Sequence, residues 1–210
     1  MTGKFITIEG TDGAGKSTQI AMLVEFLKNK GIECVVTREP GGTKIGEKLR
    51  EIVLDPENGE MTYVTEAMLY AASRAQHVEE KIIPALKEGK FVICDRFLDS
   101  SLVYQGYARG LETEMIEKIN GYALCGIKPD ITLFFDIRPE VGITRKKNMH
   151  DLDRIEQEKA DFHQKVYNGY KTLAQKYPER IKSINAEKTI EEVHKQVVEE
   201  ITKILECAEK

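Results

Sequence analysis

Short apolar runs rich in β-branched and aromatic residues alternate along the chain with longer segments in which apolar residues recur at helical spacing. Runs of this length and composition are typical of buried strands, and they lie at 5–8, 34–37, 91–94, 131–135 and 181–184. A strand followed by a helix and then by another strand is the repeating unit of a parallel sheet. The pattern therefore predicts an α/β fold built on a five-stranded parallel sheet.

The first predicted helix lies between the runs 5–8 and 34–37. It begins near Lys16 and stops before Gly31, a residue type that commonly ends helices. Its apolar face, with the spacing i, i+3, i+4 and i+7, consists of Ile20, Leu23, Val24 and Leu27. The same reasoning predicts further helices over 45–54, 66–86, 112–124, 139–147, 155–177 and 189–205.

The chain has no internal repeat, low-complexity tract or linker that would divide it into parts. We therefore expect a single domain over residues 1–210. The polar stretch 145–154 interrupts the apolar periodicity between two predicted helices. Such a stretch is expected to form a mobile loop.

Composition narrows the class of protein. An apolar content of 41% allows one sizeable core, and a formal net charge of −4 with intermixed signs argues against a surface that binds nucleic-acid polymers. The four cysteines are widely separated and form no CxxC pair, which argues against a zinc site and favours a reducing compartment. The apolar segment near the N-terminus is too short for a signal peptide or a membrane span. We expect a cytoplasmic protein with no membrane partner.

Residues 10–17 read GTDGAGKS and satisfy the phosphate-binding pattern GxxxxGK[ST] between a predicted strand and a predicted helix. Backbone N–H groups of such a turn point at phosphate oxygens, Lys16 would hold the β- and γ-phosphates, and Ser17 would bind Mg²⁺. The alternative, a Gly-rich turn with a lone lysine, is disfavoured by this position in the chain. The expected ATP-binding residues are Gly10, Thr11, Asp12, Gly13, Ala14, Gly15, Lys16, Ser17 and Thr18.

A phosphate-binding loop alone does not distinguish a kinase from a switch GTPase or a motor ATPase. The chain has no Asn-Lys-x-Asp motif for reading guanine, and it is too short to carry the appendages of a motor. Asp136 directly follows the run 131–135. A carboxylate at this position either lies near the metal or caps the following turn. These observations favour a kinase.

Four further motifs carry a resemblance to a known family. Residues 93–97 read ICDRF and residues 100–105 read SSLVYQ, which resembles the thymidylate kinase signature of an acidic residue, Arg, an aromatic residue, Ser, an aromatic residue and Gln. REPGGT at 38–43 is similar to the bacterial form of that family's second motif, and the similarity continues through YAASR at 70–74 and LDRIE at 152–156. The resemblance spans nearly the whole chain.

The resemblance implies a P-loop kinase fold, a three-layer α/β/α sandwich around the five-stranded parallel sheet. It also implies a helical lid over about 138–156, a homodimer, and transfer of the γ-phosphate of MgATP to dTMP, which gives ADP and dTDP.

Two alternatives to this function stay open. A deoxynucleoside kinase would phosphorylate thymidine, and a non-catalytic module would bind ATP only to change conformation. A comparison of dTMP with thymidine as acceptor distinguishes a dTMP kinase from a deoxynucleoside kinase. Turnover with dTMP excludes a non-catalytic module.

The resemblance also implies roles for individual residues. Arg96 would grip the acceptor phosphate with its planar fork, although a structural pair with Asp95 is an alternative. Arg50 would be a second phosphate clamp or a solvated side chain. Tyr104 would crowd out a ribose 2′-hydroxyl. The expected dTMP-binding residues, which contact the base, sugar or phosphate, are Arg50, Tyr70, Arg74, Arg96, Ser101, Tyr104 and Gln105.

One departure concerns the source of positive charge during transfer. Some family members carry Arg in the phosphate-binding loop where this chain has Gly13, and the other subtype uses a basic lid, for which this chain offers Arg145 and Arg154. A solvated charge run is the alternative, since Asn148, Met149 and His150 make the lid less basic than expected. Asp12 would orient the sugar 3′-hydroxyl, and Asp95 with Ser17 would serve Mg²⁺. The expected catalytic residues are Asp12, Lys16, Asp95, Arg96, Arg145 and Arg154.

Overall fold

A computed structural model describes residues 3–146 and 152–207. It contains a five-stranded sheet in the order β2-β3-β1-β4-β5 in which every neighbouring pair is parallel. The strands are β1 Phe5–Gly10, β2 Cys34–Arg38, β3 Phe91–Asp95, β4 Ile131–Asp136 and β5 Ile181–Asn185. All the predicted strands are confirmed, and each extends one or two residues further at its carboxyl end than predicted. Those added residues lie at the edge of the sheet where ligands bind in open α/β folds.

The helices are α1 Lys16–Asn29, α2 Lys44–Leu54, α3 Tyr63–His77, α4 Ile83–Lys87, α5 Leu98–Ser101, α6 Thr113–Ala123, α7 Pro139–Lys146, α8 Ala160–Lys176 and α9 Ile190–Cys207. Two π-helical segments join them, Val78–Ile82 between α3 and α4 and Leu102–Ala108 after α5. In the described part of the chain, no helix is both long enough and apolar enough to cross a membrane.

The sheet is buried on both faces because its strands alternate their side chains between two apolar layers. On one face, Ile8 packs with Leu23 of α1 and Ile201 of α9. On the other face, Phe134 packs with Val166 of α8. Between the central strands, the hydroxyls of Thr7 and Thr132 are 2.7 Å apart, so these buried polar groups satisfy each other. The three-layer α/β/α arrangement is confirmed.

Two segments differ from the predicted elements. The predicted helix start at Ile155 is wrong, because residues 152–159 form turns and α8 begins at Ala160. The Asp153 carboxylate accepts hydrogen bonds from the backbone N–H groups of Ile155 and Glu156, both at 2.9 Å, which stabilises a turn instead of a helix. The helical stretch 98–108 was not predicted, since the π-helical bonding of its second part does not produce α-helical periodicity.

The expected lid is helical at its beginning, in α7, and forms turns over residues 152–156. Of the expected mobile loop 145–154, the first two residues belong to α7 and the last three to the turn. Its middle, with Asn148, Met149 and His150, lies outside the described residues.

Candidate active site

The turn over residues 10–17 connects the buried strand β1 to α1, in the place that the motif requires. Gly15 caps α1 in a left-handed conformation with φ of 81°, and no side chain caps this helix start within the described residues. A residue with a Cβ rarely adopts this conformation. The first N–H groups of α1 are therefore left for an anionic ligand.

Lys16 is held inside this turn. Its side chain is buried, and its Nζ donates hydrogen bonds to the carbonyl oxygens of Gly10 at 3.4 Å and Thr11 at 3.1 Å. Burial lowers the pKa of the Lys16 ammonium below its ordinary value, and the nearby Arg96 lowers it further. A bound phosphate would restore favourable charge around this group.

A cleft that we call the P-loop cleft is lined by residues 12–19, by Asp95, Arg96 and Arg145, and by residues after β5. Asp95 lies at the carboxyl end of β3, and its Oδ1 is buried without a hydrogen-bond partner in the described part of the chain. Ser17 is exposed and lines the same cleft. A buried carboxylate oxygen needs a partner, and Mg²⁺ with its waters would supply one. These two oxygens therefore fit a magnesium ion that is bound together with phosphates.

No group of three or more His, Cys, Asp or Glu side chains able to hold a metal occurs in residues 3–146 and 152–207. This suits Mg²⁺, which usually keeps several waters and takes few protein ligands. Asp136, the other candidate from the sequence, forms an ion pair with Lys171 at 2.7 Å and does not line the P-loop cleft.

Arg96 lines both the P-loop cleft and a second, smaller pocket, which we call the Arg96 pocket. Its backbone has φ of 67°, a strained conformation for a residue with a side chain. The guanidinium donates to Asp12 Oδ1 at 2.9 Å and to the Tyr170 hydroxyl at 3.2 Å, and it lies 5.2 Å from the centre of the Tyr104 ring. Strain of this kind is retained where the surrounding contacts hold a functional side chain in place.

The Arg96 pocket brings together most of the side chains expected to bind the acceptor. Those that line it are Arg50, Tyr70, Arg74, Arg96, Tyr104 and Gln105. Arg50 lines both cavities and donates to the Pro40 carbonyl oxygen at 2.9 Å. The ring of Tyr104 is nearly buried and makes edge contacts with Phe162 and Tyr170.

Arg74 is fixed by a buried network in the wall of the Arg96 pocket. Its guanidinium donates to Glu39 at 2.7 Å, to Ser101 Oγ at 3.0 Å and to the carbonyl oxygen of Phe97 at 2.9 Å, and also to Asn120. Ser101 is buried behind Arg74 and is not part of the pocket lining. In this conformation Ser101 therefore contacts Arg74 and not the pocket interior.

The sequence reasoning missed Glu9, which lines neither cavity but holds Ser100 in the wall of the Arg96 pocket. It lies in β1, fully buried, and accepts hydrogen bonds from Phe97 N at 2.8 Å, Ser100 Oγ at 2.6 Å and the Tyr170 hydroxyl at 2.7 Å. Burial, together with the charge of Asp99, raises the pKa of Glu9 to about 7. The available signal was a lone carboxylate in a mostly apolar strand just before the phosphate-binding turn.

The two expected lid arginines lie in different places. Arg145, on α7, lines the P-loop cleft and donates to the carbonyl oxygen of Ala186 at 3.0 Å. Arg154 lines neither cavity, because its guanidinium donates to Glu66 at 2.6 Å and to the Val53 carbonyl oxygen at 3.0 Å. Of these two arginines, only Arg145 lines the P-loop cleft in the described part of the chain.

Comparisons with known proteins show the family of this chain. The model of the family described as thymidylate kinase matches residues 8–197. The chain belongs to the thymidylate kinase family. A curated thymidylate kinase from Exiguobacterium sp. is 51% identical over 199 residues, with 95% of this chain and 94% of that protein covered. One from Thermoanaerobacter sp. is 50% identical and covers 98% of this chain and 100% of its own length.

A solved structure extends the comparison to the fold. The crystal structure of thymidylate kinase from Ehrlichia chaffeensis is similar with a TM-score of 0.78 and 32% identity, over 96% of this chain and 99% of that one. The P-loop kinase fold and the family assigned from the motifs are thus confirmed. As a thymidylate kinase by family, the chain is an enzyme of the dTMP kinase class. Neither a deoxynucleoside kinase nor a non-catalytic module is favoured.

Proposed function

We propose that this protein transfers the γ-phosphate of MgATP to dTMP by direct in-line displacement, with the donor in the P-loop cleft and the acceptor in the Arg96 pocket. The proposal rests on one observation: the two cavities lie side by side and share part of their lining, which forms a common wall. Both cavities are lined by Asp12, Glu39, Arg50, Arg96 and Glu156. Substrates on the two sides of such a wall meet at their phosphates, where positioning and charge neutralisation accelerate transfer.

On the donor side, the turn over residues 10–18 would surround the phosphates. Lys16 would exchange the carbonyl oxygens of Gly10 and Thr11 for the β- and γ-phosphate oxygens. Bound Mg²⁺, held by Ser17 and through water by Asp95, would offset negative charge on the phosphates. The unpartnered Oδ1 of Asp95 supports this assignment.

On the acceptor side, Arg96 would bind the monophosphate with its planar fork, assisted by Arg50. Tyr70 would stack on the base, and Arg74 would donate to the carbonyl edge. Tyr104 would pack against the sugar at C2′, and Asp12 would orient the 3′-hydroxyl. The position of these side chains along a single pocket supports the assignment.

We also propose that residues 138–156 act as a lid within a single domain. Arg145 would bring positive charge to the transferred group, as its place beside the P-loop cleft supports. Arg154 would reach the phosphates only after it leaves Glu66, so its catalytic role requires a lid movement that breaks this ion pair.

We propose a homodimer that is formed through α2 and α3. Several large apolar side chains of these helices are exposed, namely Ile45, Ile52, Tyr63, Val64 and Met68. Exposed apolar side chains of this size are typical of association surfaces. The expected result for Met68→Glu is a shift from dimer to monomer in sedimentation equilibrium, whereas a wild-type monomer would contradict the proposal.

The free thiols of Cys34, Cys94 and Cys125 support a reducing, cytoplasmic location.

The proposed reaction is tested by coupled ADP release with a panel of acceptors: dTMP, dUMP, UMP, dCMP, AMP and thymidine. We expect the highest kcat/KM with dTMP and little turnover of thymidine, which lacks the phosphate that Arg96 would bind. Preference for thymidine would indicate a deoxynucleoside kinase. ATP binding without transfer to any acceptor would indicate a non-catalytic module.

A further inference from the structure

We propose that Glu66 fixes the orientation of the Gln105 side-chain amide, so that Gln105 presents an oxygen to the acceptor base and selects pyrimidines that carry a hydrogen on N3. The inference rests on the function proposed above. It makes Glu66, which lines neither cavity, a positioning residue for base specificity.

Gln105 has a buried side-chain amide, and only its nitrogen makes a hydrogen bond within the described residues. The side chain is 1% exposed and lines the Arg96 pocket. Its Nε2 donates to Glu66 Oε1 at 3.0 Å. Its Oε1 is buried without a hydrogen-bond partner in the described part of the chain. Because Glu66 lies outside the pocket lining, the amide nitrogen points away from the pocket and the oxygen is left for a ligand.

The charge on Glu66 decides which end of the amide faces it. Glu66 is fully buried and accepts on Oε2 from Arg109 Nη2 at 3.1 Å and Arg154 Nη2 at 2.6 Å. On Oε1 it accepts from Arg109 Nε at 3.2 Å as well as from Gln105. Burial acts to raise its pKa, but the bonds from Arg109, Gln105 and Arg154 leave the pKa of Glu66 lowered. An ionised carboxylate only accepts hydrogen bonds, so Gln105 must turn its NH₂ group toward Glu66.

The unpartnered oxygen of the amide would then accept a hydrogen bond from the base. Thymine and uracil carry N3–H, a donor that matches the Gln105 oxygen, whereas the N3 of cytosine is an acceptor and would face that oxygen without a hydrogen. A buried site built for one pairing rejects a base that leaves its polar atoms unpaired. Arg74, which would donate to the carbonyl edge, favours the same bases, so we assign only part of the discrimination to Gln105.

The substitution Glu66→Gln provides a test because it reverses the amide without removing it. The new side-chain oxygen should stay at the Oε2 position, which accepts from two cationic donors, whereas the Oε1 position accepts from one, Arg109 Nε. Its NH₂ group then occupies the Oε1 position and faces Gln105. Gln105 must rotate and offer its own NH₂ group to the pocket, which suits the N3 of cytosine.

We expect the ratio of dissociation constants for dCMP and dTMP, measured by calorimetry, to fall by roughly tenfold or more in Glu66→Gln relative to wild type. Glu158→Gln is the matched control: Glu158 accepts a hydrogen bond from Arg109 Nη1 and lines neither cavity. This control makes the same change of residue type one contact further from Gln105 and should leave the ratio unchanged.

If Glu66→Gln does not fold, Gln105→Leu tests the same point, since it removes the acceptor and should lower the ratio as well. An unchanged ratio in the folded variant, or an equal change in Glu158→Gln, would overturn the inference. Binding is measured without turnover, so failure of the proposed reaction shows separately, as absent ADP release from wild-type protein with dTMP.

Discussion

Gly13 of the phosphate-binding turn and Gly142 of α7 lie backbone against backbone. A Cβ on Gly13 would overlap the carbonyl oxygen of Gly142, and a Cβ on Gly142 would lie 2.5 Å from the carbonyl oxygen of Asp12. Gly13 also has φ of 75°, which side chains disfavour. The first helix of the proposed lid therefore rests directly on the donor site, because neither position carries a side chain.

Gly142→Ala should lower kcat/KM for ATP by roughly tenfold or more, because backbone atoms cannot yield as a flexible side chain can and α7 must move with Arg145. The dissociation constant for dTMP should change little. The control is Gly121→Ala in α6, where an added Cβ meets nothing within 4 Å and should add about 0.5–1 kcal/mol of stability. Wild-type kinetics in Gly142→Ala would show that the close contact is unimportant.

Lys16→Ala should lower kcat by several orders of magnitude and leave the affinity for dTMP nearly unchanged, since Lys16 would serve the donor phosphates alone. Single-turnover kinetics and dTMP calorimetry provide the two measurements. Lys28→Ala, on the exposed end of α1, is the control and should behave as wild type. Near-normal turnover without Lys16 would remove the phosphate-binding turn from the mechanism.

Arg96→Ala should weaken binding of dTMP by roughly tenfold to a hundredfold while thymidine binding changes much less, because the planar fork contacts the phosphate. Arg96→Lys keeps the charge but loses the fork, and it should recover only part of the affinity. Calorimetric titration with both ligands makes the comparison. Equal losses for dTMP and thymidine would assign Arg96 to structure, through its bonds to Asp12 and Tyr170.

Tyr104→Ala should open space at the sugar C2′ position and reduce the preference for dTMP over its ribose counterpart by roughly tenfold. The loss of a nearly buried ring should also cost stability, about 3–5 kcal/mol. Tyr107→Ala removes a ring from the same π-helical segment without touching the Arg96 pocket. The ratio of kcat/KM values and a melting curve are measured for each protein. A lowered melting temperature beside an unchanged ratio would leave Tyr104 with a packing role only.

Glu9 makes folding stability dependent on pH. Its pKa is about 7 in the folded protein and about 4.5 in the unfolded chain, so the folded state holds a proton that the unfolded state has released between these values. Stability contributed by this proton is present below about pH 4.5 and is lost as the pH rises to about 7. The loss attributable to Glu9 is about 3 kcal/mol.

Urea denaturation of wild type and Glu9→Gln between pH 4.5 and 8 measures this effect. The free energy of unfolding of wild type should fall relative to that of the variant as the pH rises through this interval. Titrating groups that do not interact with Glu9 cancel in the difference between the two proteins. A constant difference across the interval would mean that Glu9 stays ionised in its bonds to Ser100 and Tyr170.

Local patterns predicted the strands and the phosphate-binding turn well, because a buried strand and a cradle for phosphate each depend on a few consecutive residues. The strand order came from the family resemblance. The stretch 98–108 could not be predicted from periodicity, since its π-helical part follows different spacing. The buried carboxylates were also missed: Glu9 meets Tyr170 and Glu66 meets Arg109 only after the chain has folded.

The wall shared by the two cavities also has a thermodynamic consequence. A monophosphate that binds Arg96 competes with its ion pair to Asp12, and Asp12 belongs to the turn that would hold ATP. Filling one cavity must therefore alter the free energy of filling the other. Linkage requires the coupling to be reciprocal: the factor by which a bound ATP analogue changes the affinity for dTMP equals the factor by which dTMP changes the affinity for the analogue. The two substrates would thus bind as one cooperative system, with Arg96 and Asp12 as its junction.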